Sequence, residues 1–298
     1  MSKRESEIKE VQCLISDYKR VLDRQSKNIN TDAFPVLAFA LNKDKKSYSV
    51  TRQRGDFAVT EKIEVPEFYE GKPVTRVSDG AFLFSNAREI TFPKTVAHIE
   101  IDEEQDAFSL CNNLAVINVH PENAHYSSIN GVLFNKDQTV LIRCPANYDC
   151  SVYEIPQGVT SIWRIAFSDC KKLTEVTIPE SVTEIGIAAS IRCNISRVVI
   201  PGHVKAIDYF TFYYCSNLTE VTISDGVQRI ENFSFNNCRS LTQITIPASV
   251  EKIGGKVFLS SENLTAAYGN GISKKPAGWS KDWNLIDHGH RVKAYWNH

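Results

Sequence analysis

Val159-Thr-Ser-Ile162, Ala166-Phe167, Cys170, Leu173 and Val176-Thr-Ile-Pro179 form one phrase, and the chain writes it again from Val182, Val204 and Val227, with an incomplete copy from Val250. A period of about 23 residues lies in the range where self-similarity means stacked coils rather than one compact core. Within Leu173-Thr-Glu-Val176-Thr-Ile178 apolar and polar residues alternate, as a strand with one buried face requires, and Pro179 ends that strand because it has no N–H to extend a ladder. Strands of successive coils then lie side by side, so the sheet is parallel. Phe167, Phe212, Phe235 and Phe258 occupy one slot and are expected to stack inside the array. No single coil can bury its own apolar face, so stability must come from neighbours.

Working outward, imperfect copies begin at Val74 and Val96. The second is interrupted by Glu100-Ile-Asp-Glu-Glu-Gln-Asp106, an acidic run without the alternating oxygens and turn glycine of a calcium loop. Residues 122–158 break the period. Their apolar runs on either side of Asn135-Lys-Asp-Gln138 read as a β-hairpin projecting from the stack. Residues 31–73 read as N-terminal strands, 74–268 as the solenoid and 269–298 as a C-terminal cap in which Trp279, Trp283 and Trp296 seal the open end. In residues 1–30, Ile8, Val11, Ile15, Tyr18 and Leu22 recur at intervals of three and four, the spacing of an amphipathic helix. That stripe suits either a lid on the first coil or a short seam joining two copies in a homodimer. The fold class expected is an α+β repeat solenoid of about 22–23-residue coils with a parallel β-sheet, an N-terminal helix and a C-terminal cap.

Composition narrows the function. The 298 residues are 42% hydrophobic and 23% charged with a formal net charge of -1, which offers no field for gripping nucleic acid. No apolar run approaches the roughly 20 residues of a membrane helix. The opening Met1-Ser-Lys-Arg-Glu-Ser-Glu-Ile has acids where a secretory signal would be apolar, so the expected location is cytoplasmic. Cys111, Cys170, Cys193, Cys215 and Cys238 share a slot three residues after the Phe position, which points to a column of buried thiols rather than disulfides or zinc ligands. A serine in that slot, as in Cys215→Ser, would leave an unpaired hydroxyl in an apolar site at a cost of roughly 1 to 3 kcal/mol.

No nucleophile elbow, Walker loop, dinucleotide fingerprint, His-Glu-x-x-His or Cys-x-x-Cys occurs, and no catalytic residue, cofactor or metal is assigned. His288-Gly-His290 is too isolated to hold a metal firmly. What remains is surface. With Val176 and Ile178 inward, Glu175 and Thr177 point outward, and their equivalents are Arg197 and Val199, Glu220 and Thr222, and Gln243 and Thr245. A second patch gathers Tyr209, Tyr213 and Tyr214 around Phe212.

The phrase Val-x-x-Ile, Ala-Phe, Cys, Leu, Val-x-Ile-Pro resembles the BspA-type leucine-rich repeat. Gly71-Lys-Pro-Val-Thr75, Asn130-Gly-Val-Leu-Phe-Asn-Lys-Asp137 and Pro276-Ala-Gly-Trp-Ser-Lys-Asp-Trp-Asn284 resemble segments that accompany it. The resemblance implies a right-handed leucine-rich solenoid and a non-enzymatic interaction or adhesion scaffold. Its expected partner is a protein, including host or cell-surface proteins, and family members at the cell surface or secreted make that the alternative location. The rival reading is a carbohydrate-binding or carbohydrate-acting protein that uses exposed tyrosines together with Trp279 and Trp283.

Overall fold

The computed structural model describes residues 37–51, 61–101, 106–287 and 289–296. They form two compact units: one ends at Asp137 and includes Pro145–Asn147, and the other comprises Gln138–Cys144 and the chain from Tyr148 onward. Each is a parallel β-solenoid. Among the described residues the regular structure is strand and turn without an α-helix, so none is long and apolar enough to cross a membrane. The expected N-terminal helix over residues 1–30 lies outside the described residues.

In the second unit, the coils contribute two strands each, joined at a proline or, after Glu220–Ile223, at Ser224. Val152–Glu154, Glu175–Thr177, Arg197–Ile200 and Glu220–Ile223 form one parallel sheet, and Gln243–Pro247, Ala266–Asn270 and Lys293–Trp296 form another. The carbonyls of Pro156, Pro179, Pro201 and Pro247 accept from the amides of Val159, Val182, Val204 and Val250. This turn leads into a second row of two-residue strands such as Ser161–Ile162 and Glu184–Ile185, or Arg229–Ile230 and Lys252–Ile253. The repeated Val, Ile, Cys and Leu positions are buried, except Ile178, which is half-buried. The aromatic column forms where expected, with ring centroids 5.2 Å apart for Phe212–Phe235 and 5.9 Å for Phe235–Phe258. It is interrupted in the coil of Val182, where Ser190 holds the Phe slot and Ile187 and Ile191 are buried beside it.

The described coils contain no helix, for a local reason. The third side of each coil, around the Ala-Phe pair, is a run of tight turns in which two residues four apart are left-handed: Ile165 and Asp169 (φ 51° and 61°), Ala188 and Arg192 (55° and 55°), Phe210 and Tyr214 (58° and 60°). An α-helix excludes such angles, each costing roughly 1–2 kcal/mol for a residue with a Cβ. The turns persist because they satisfy the backbone. The amides of Ala166, Ser168 and Cys170 bond within the coil to Trp163, Ile165 and Phe167, while those of Ile165, Phe167 and Asp169 bond the carbonyls of Ile187, Ala189 and Ile191 on the next coil. Alternate N–H groups thus close the turn and stitch the stack, and no donor in this run is orphaned.

The first unit repeats the logic with a longer step. Lys62–Glu64, Glu89–Phe92 and Val116–Val119 pair in parallel, placing Ile63, Ile90 and Ile117 in one buried column. The amides of Gly80, Phe82 and Phe84 bond Asp106, Ala107 and Ser109 in the same stitched-turn pattern.

The insertion differs from expectation. Its hairpin pairs Tyr126–Ile129 with Val132–Asn135, and the turn falls at Asn130-Gly131 rather than at Asn135–Gln138. Both turn residues are left-handed (φ 50° and 81°), the requirement of a two-residue hairpin turn that Asn-Gly meets at least cost. The hairpin does not project. Val132, Leu133 and Phe134 are fully buried, and the Gly131 carbonyl accepts from the Ile117 amide. Val140–Arg143 belongs to the second unit, where it pairs in parallel with Ser161–Ile162.

Candidate binding face and its surroundings

The outward columns form as the alternation requires. Across the first sheet of the second unit, Glu175 faces Arg197 and Arg197 faces Glu220, while Val199 faces Thr222. Arg197, Val199, Glu220, Thr222, Gln243 and Thr245 are exposed, as is Thr177, and Glu175 is half-buried. Arg197 lies between two acids, with Nη2 3.9 Å from Glu175 Oε2 and Nε 3.9 Å from Glu220 Oε2. These contacts are open to solvent and stabilise little. They do relieve the repulsion of stacked carboxylates and leave the face net acidic. Val199, 48% exposed in the middle of the column, contributes nothing to the core.

Strand register extends the columns beyond the residues singled out from sequence. Val152 and Glu154 precede Glu175 and Thr177. At the other end Thr245 faces Tyr268 and Tyr268 faces Tyr295, with their rings stacked at 5.2 Å. Lys293 Nζ lies 4.8 Å from the Tyr295 ring centroid. Tyr153-Glu-Ile155-Pro156 is the strand ending of the repeat phrase and could have revealed the first pair. Lys293 and Tyr295 carried no such signal, because the last strand follows its neighbour by 27 residues rather than 23.

The tyrosine patch lies on the stitched-turn side, apart from the sheet columns. Tyr213 packs at 4.7 Å on Tyr214 and edge-on at 5.4 Å against Phe210, which stacks at 5.2 Å on Phe233. All three tyrosines are half-buried. Burial pushes the Tyr213 hydroxyl up to about 12, so it stays a neutral donor at physiological pH.

The tryptophans are removed from the candidate sugar surface. Trp279 and Trp283 are each 3% exposed, stand 4.9 Å apart, and pack with Trp296 as a terminal plug. Trp279 Nε1 donates to the Val250 carbonyl at 3.1 Å. The plug requires a glycine at 269, where a Cβ would come within 2.7 Å of the Trp296 ring.

The cysteine slot has a polar feature that the sequence did not show. Sγ of Cys111, Cys215 and Cys238 lies 2.9, 3.0 and 3.2 Å from the carbonyl of Phe82, Ser190 and Phe212 on the preceding coil. Ser261, in the same slot, donates to Phe235 at 2.9 Å and is fully buried. A hydroxyl at this place is therefore satisfied, and the cost foreseen for Cys215→Ser is revised: a loss under about 1 kcal/mol by urea denaturation, with Cys215→Ala costing more because it leaves the carbonyl unpaired and a void. Burial raises the thiols of Cys170, Cys193, Cys215 and Cys238 well above their ordinary value. All four should resist alkylation until the stack opens, and rapid labelling of the native chain would contradict the assignment.

Among the described residues no cluster of three or more His, Cys, Asp or Glu side chains is arranged to hold a metal. Part of the acidic run, residues 102–105, lies outside them, as does His288. Glu100 at the head of that run is occupied, accepting from Arg76 at 2.7 Å and from the Asp79 amide at 2.7 Å.

Stacked coils, an exposed in-register sheet face and a sealed end define a repeat scaffold. The chain belongs to the BspA type Leucine rich repeat region family, whose pattern it matches in six copies over residues 53–147 and 141–265. Solved structures with the same fold include a leucine-rich repeat protein from Eubacterium ventriosum (17% identity, 89% of this chain and 92% of that one, TM-score 0.57). A leucine rich cell surface protein from Faecalibacterium prausnitzii is similar (18%, 90% and 100%, 0.52), as is the pneumococcal vaccine antigen PcpA (21%, 81% and 64%, 0.54). No curated protein matches the chain.

Proposed function

We propose that this chain is a non-enzymatic scaffold that binds a protein partner through the outer sheet face of its second unit. The supporting observation is the set of in-register columns Glu175–Arg197–Glu220 and Val199–Thr222, whose side chains are exposed apart from the half-buried Glu175 and do little for the fold. Stacked coils commonly present such extended faces to partners. The net acidity of the face suits a partner with a basic surface. A cell-surface location accords with the description of the Faecalibacterium relative as a leucine rich cell surface protein, and adhesion to a host or neighbouring-cell protein is the role proposed for this chain there.

Charge reversal tests this reading. Glu175→Lys with Glu220→Lys should lower partner capture at least fivefold, about 1 kcal/mol or more. Both positions are at the surface, so stability should stay within about 0.5 kcal/mol per site. Unchanged capture would move the binding site to the Tyr213–Tyr214 patch, and turnover of any substrate by the purified chain would overturn the scaffold reading.

A further inference from the structure

The first hairpin of the first unit leaves part of its core side uncovered. Ala38–Leu41 pairs antiparallel with Tyr48–Thr51, with Phe39 opposite Val50 and Leu41 opposite Tyr48. Directly opposed side chains share a face. Val50 and Tyr48 are buried at 0% and 8% exposure, so this is the face turned to the core, yet Leu41 on the edge strand is 46% exposed. Phe39 stacks at 4.1 Å on Tyr69, itself 37% exposed, and Tyr69 meets Tyr48 edge-on at 5.0 Å. The result is an apolar shelf of Phe39, Leu41 and Tyr69 continuous with the core, at the end of a stack where solenoids require a cap.

We propose that the apolar stripe Ile8, Val11, Ile15, Tyr18 and Leu22 of the same chain is the cover for this shelf. The stripe matches the shelf in chemistry, and it belongs to the stretch of chain that runs directly into the shelf's own strand at Ala38. The 15 residues between Leu22 and Ala38 span up to roughly 50 Å when extended, ample for an intramolecular return. The same stripe used between two copies would instead make a homodimer, and the experiment separates the two.

The test uses the full chain, with limited trypsin cleavage after Lys19 and Arg20 and solution mass by light scattering as readouts. Docking shields those bonds. Ile15→Asp in the stripe and Leu41→Ser on the shelf should each speed cleavage at least about tenfold, from a monomeric starting chain. Equal cleavage in all three proteins overturns the proposal. Acceleration by Ile15→Asp alone places the stripe on another surface and also overturns it. A dimer that Ile15→Asp splits into monomers makes a second copy the occupant, with the same consequence. Ile15 lies far from the Ala38–Thr51 hairpin in sequence, so that variant stays informative even if Leu41→Ser loosens the hairpin.

Discussion

Phe235→Ala is expected to cost about 3 to 5 kcal/mol and to loosen the coils on both sides of it. Phe235 is fully buried and sandwiched, its ring nearly parallel to Phe212 on one side and to Phe258 on the other, with interplanar angles of 10° and 17°. Truncation removes the transfer energy of the ring and leaves a void that two stacked neighbours cannot fill without breaking their own register. Phe212→Ala should fall lower in the same range, because Phe212 has an aromatic neighbour on one side and Ser190 in the slot on the other. Urea denaturation with amide exchange resolved by coil checks both the size and the spread, since each coil in such an array depends on its immediate neighbours. A Phe235→Ala chain within about 1 kcal/mol of the original would mean that the column is loosely packed.

The second large effect concerns a charge held inside the stitched turns. Asp169 sits at a left-handed turn position and receives a forked pair of bonds from Arg192 on the next coil, Nε to Oδ1 at 2.9 Å and Nη2 to Oδ2 at 2.7 Å. Burial by itself would raise the Asp169 carboxyl, but the Arg192 guanidinium, aided by Lys171 and the Ser168 hydroxyl, outweighs it and holds the group at about 2 against an ordinary 3.8. A folded-state value below the unfolded one means stability that is present in full above about pH 4 and lost as pH falls toward 2. The contribution is about 2 kcal/mol. Arg192→Ala removes the main counter-charge and leaves a buried carboxylate, at an expected cost of about 3 kcal/mol at neutral pH. The variant should also lose most of the stability change between pH 4 and pH 2, because burial then acts on Asp169 with less opposition. Acid titration of the two proteins by circular dichroism distinguishes this from a general weakening, which would shift both curves equally.

These two sites differ in how they could be foreseen. Repetition of Phe167, Phe212, Phe235 and Phe258 at one slot announced the column, since identical residues at a constant period must meet when coils stack. Asp169 and Arg192 also share one slot, 23 residues apart, but the next two coils carry Tyr214 and Asn237 there, so the phrase marks no charge at that place. They meet because the turn lifts both backbones into the left-handed region and aims their side chains along the stack. The same turns keep the described coils free of helix. Ala-Phe-x-x-Cys-x-x-Leu reads as well for a helix as for turns, and only the ladder between coils, which lies outside any local window, decides between them.

The repeat phrase by itself determined the solenoid, the inward Val, Ile, Leu and Cys columns and the outward Glu175–Arg197–Glu220 face, because alternation along a strand and a constant period leave no freedom in which side chains are buried. Tertiary structure decided what depends on contacts without a period. It decided between plug and sugar surface for Trp279 and Trp283, folded the Tyr126–Asn135 hairpin into the core, extended the outer columns to Tyr268 and Tyr295, and gave each slot thiol a carbonyl on the preceding coil. In each case the deciding partner is set by how far one coil lies from the next, a distance the sequence encodes only through the whole stack.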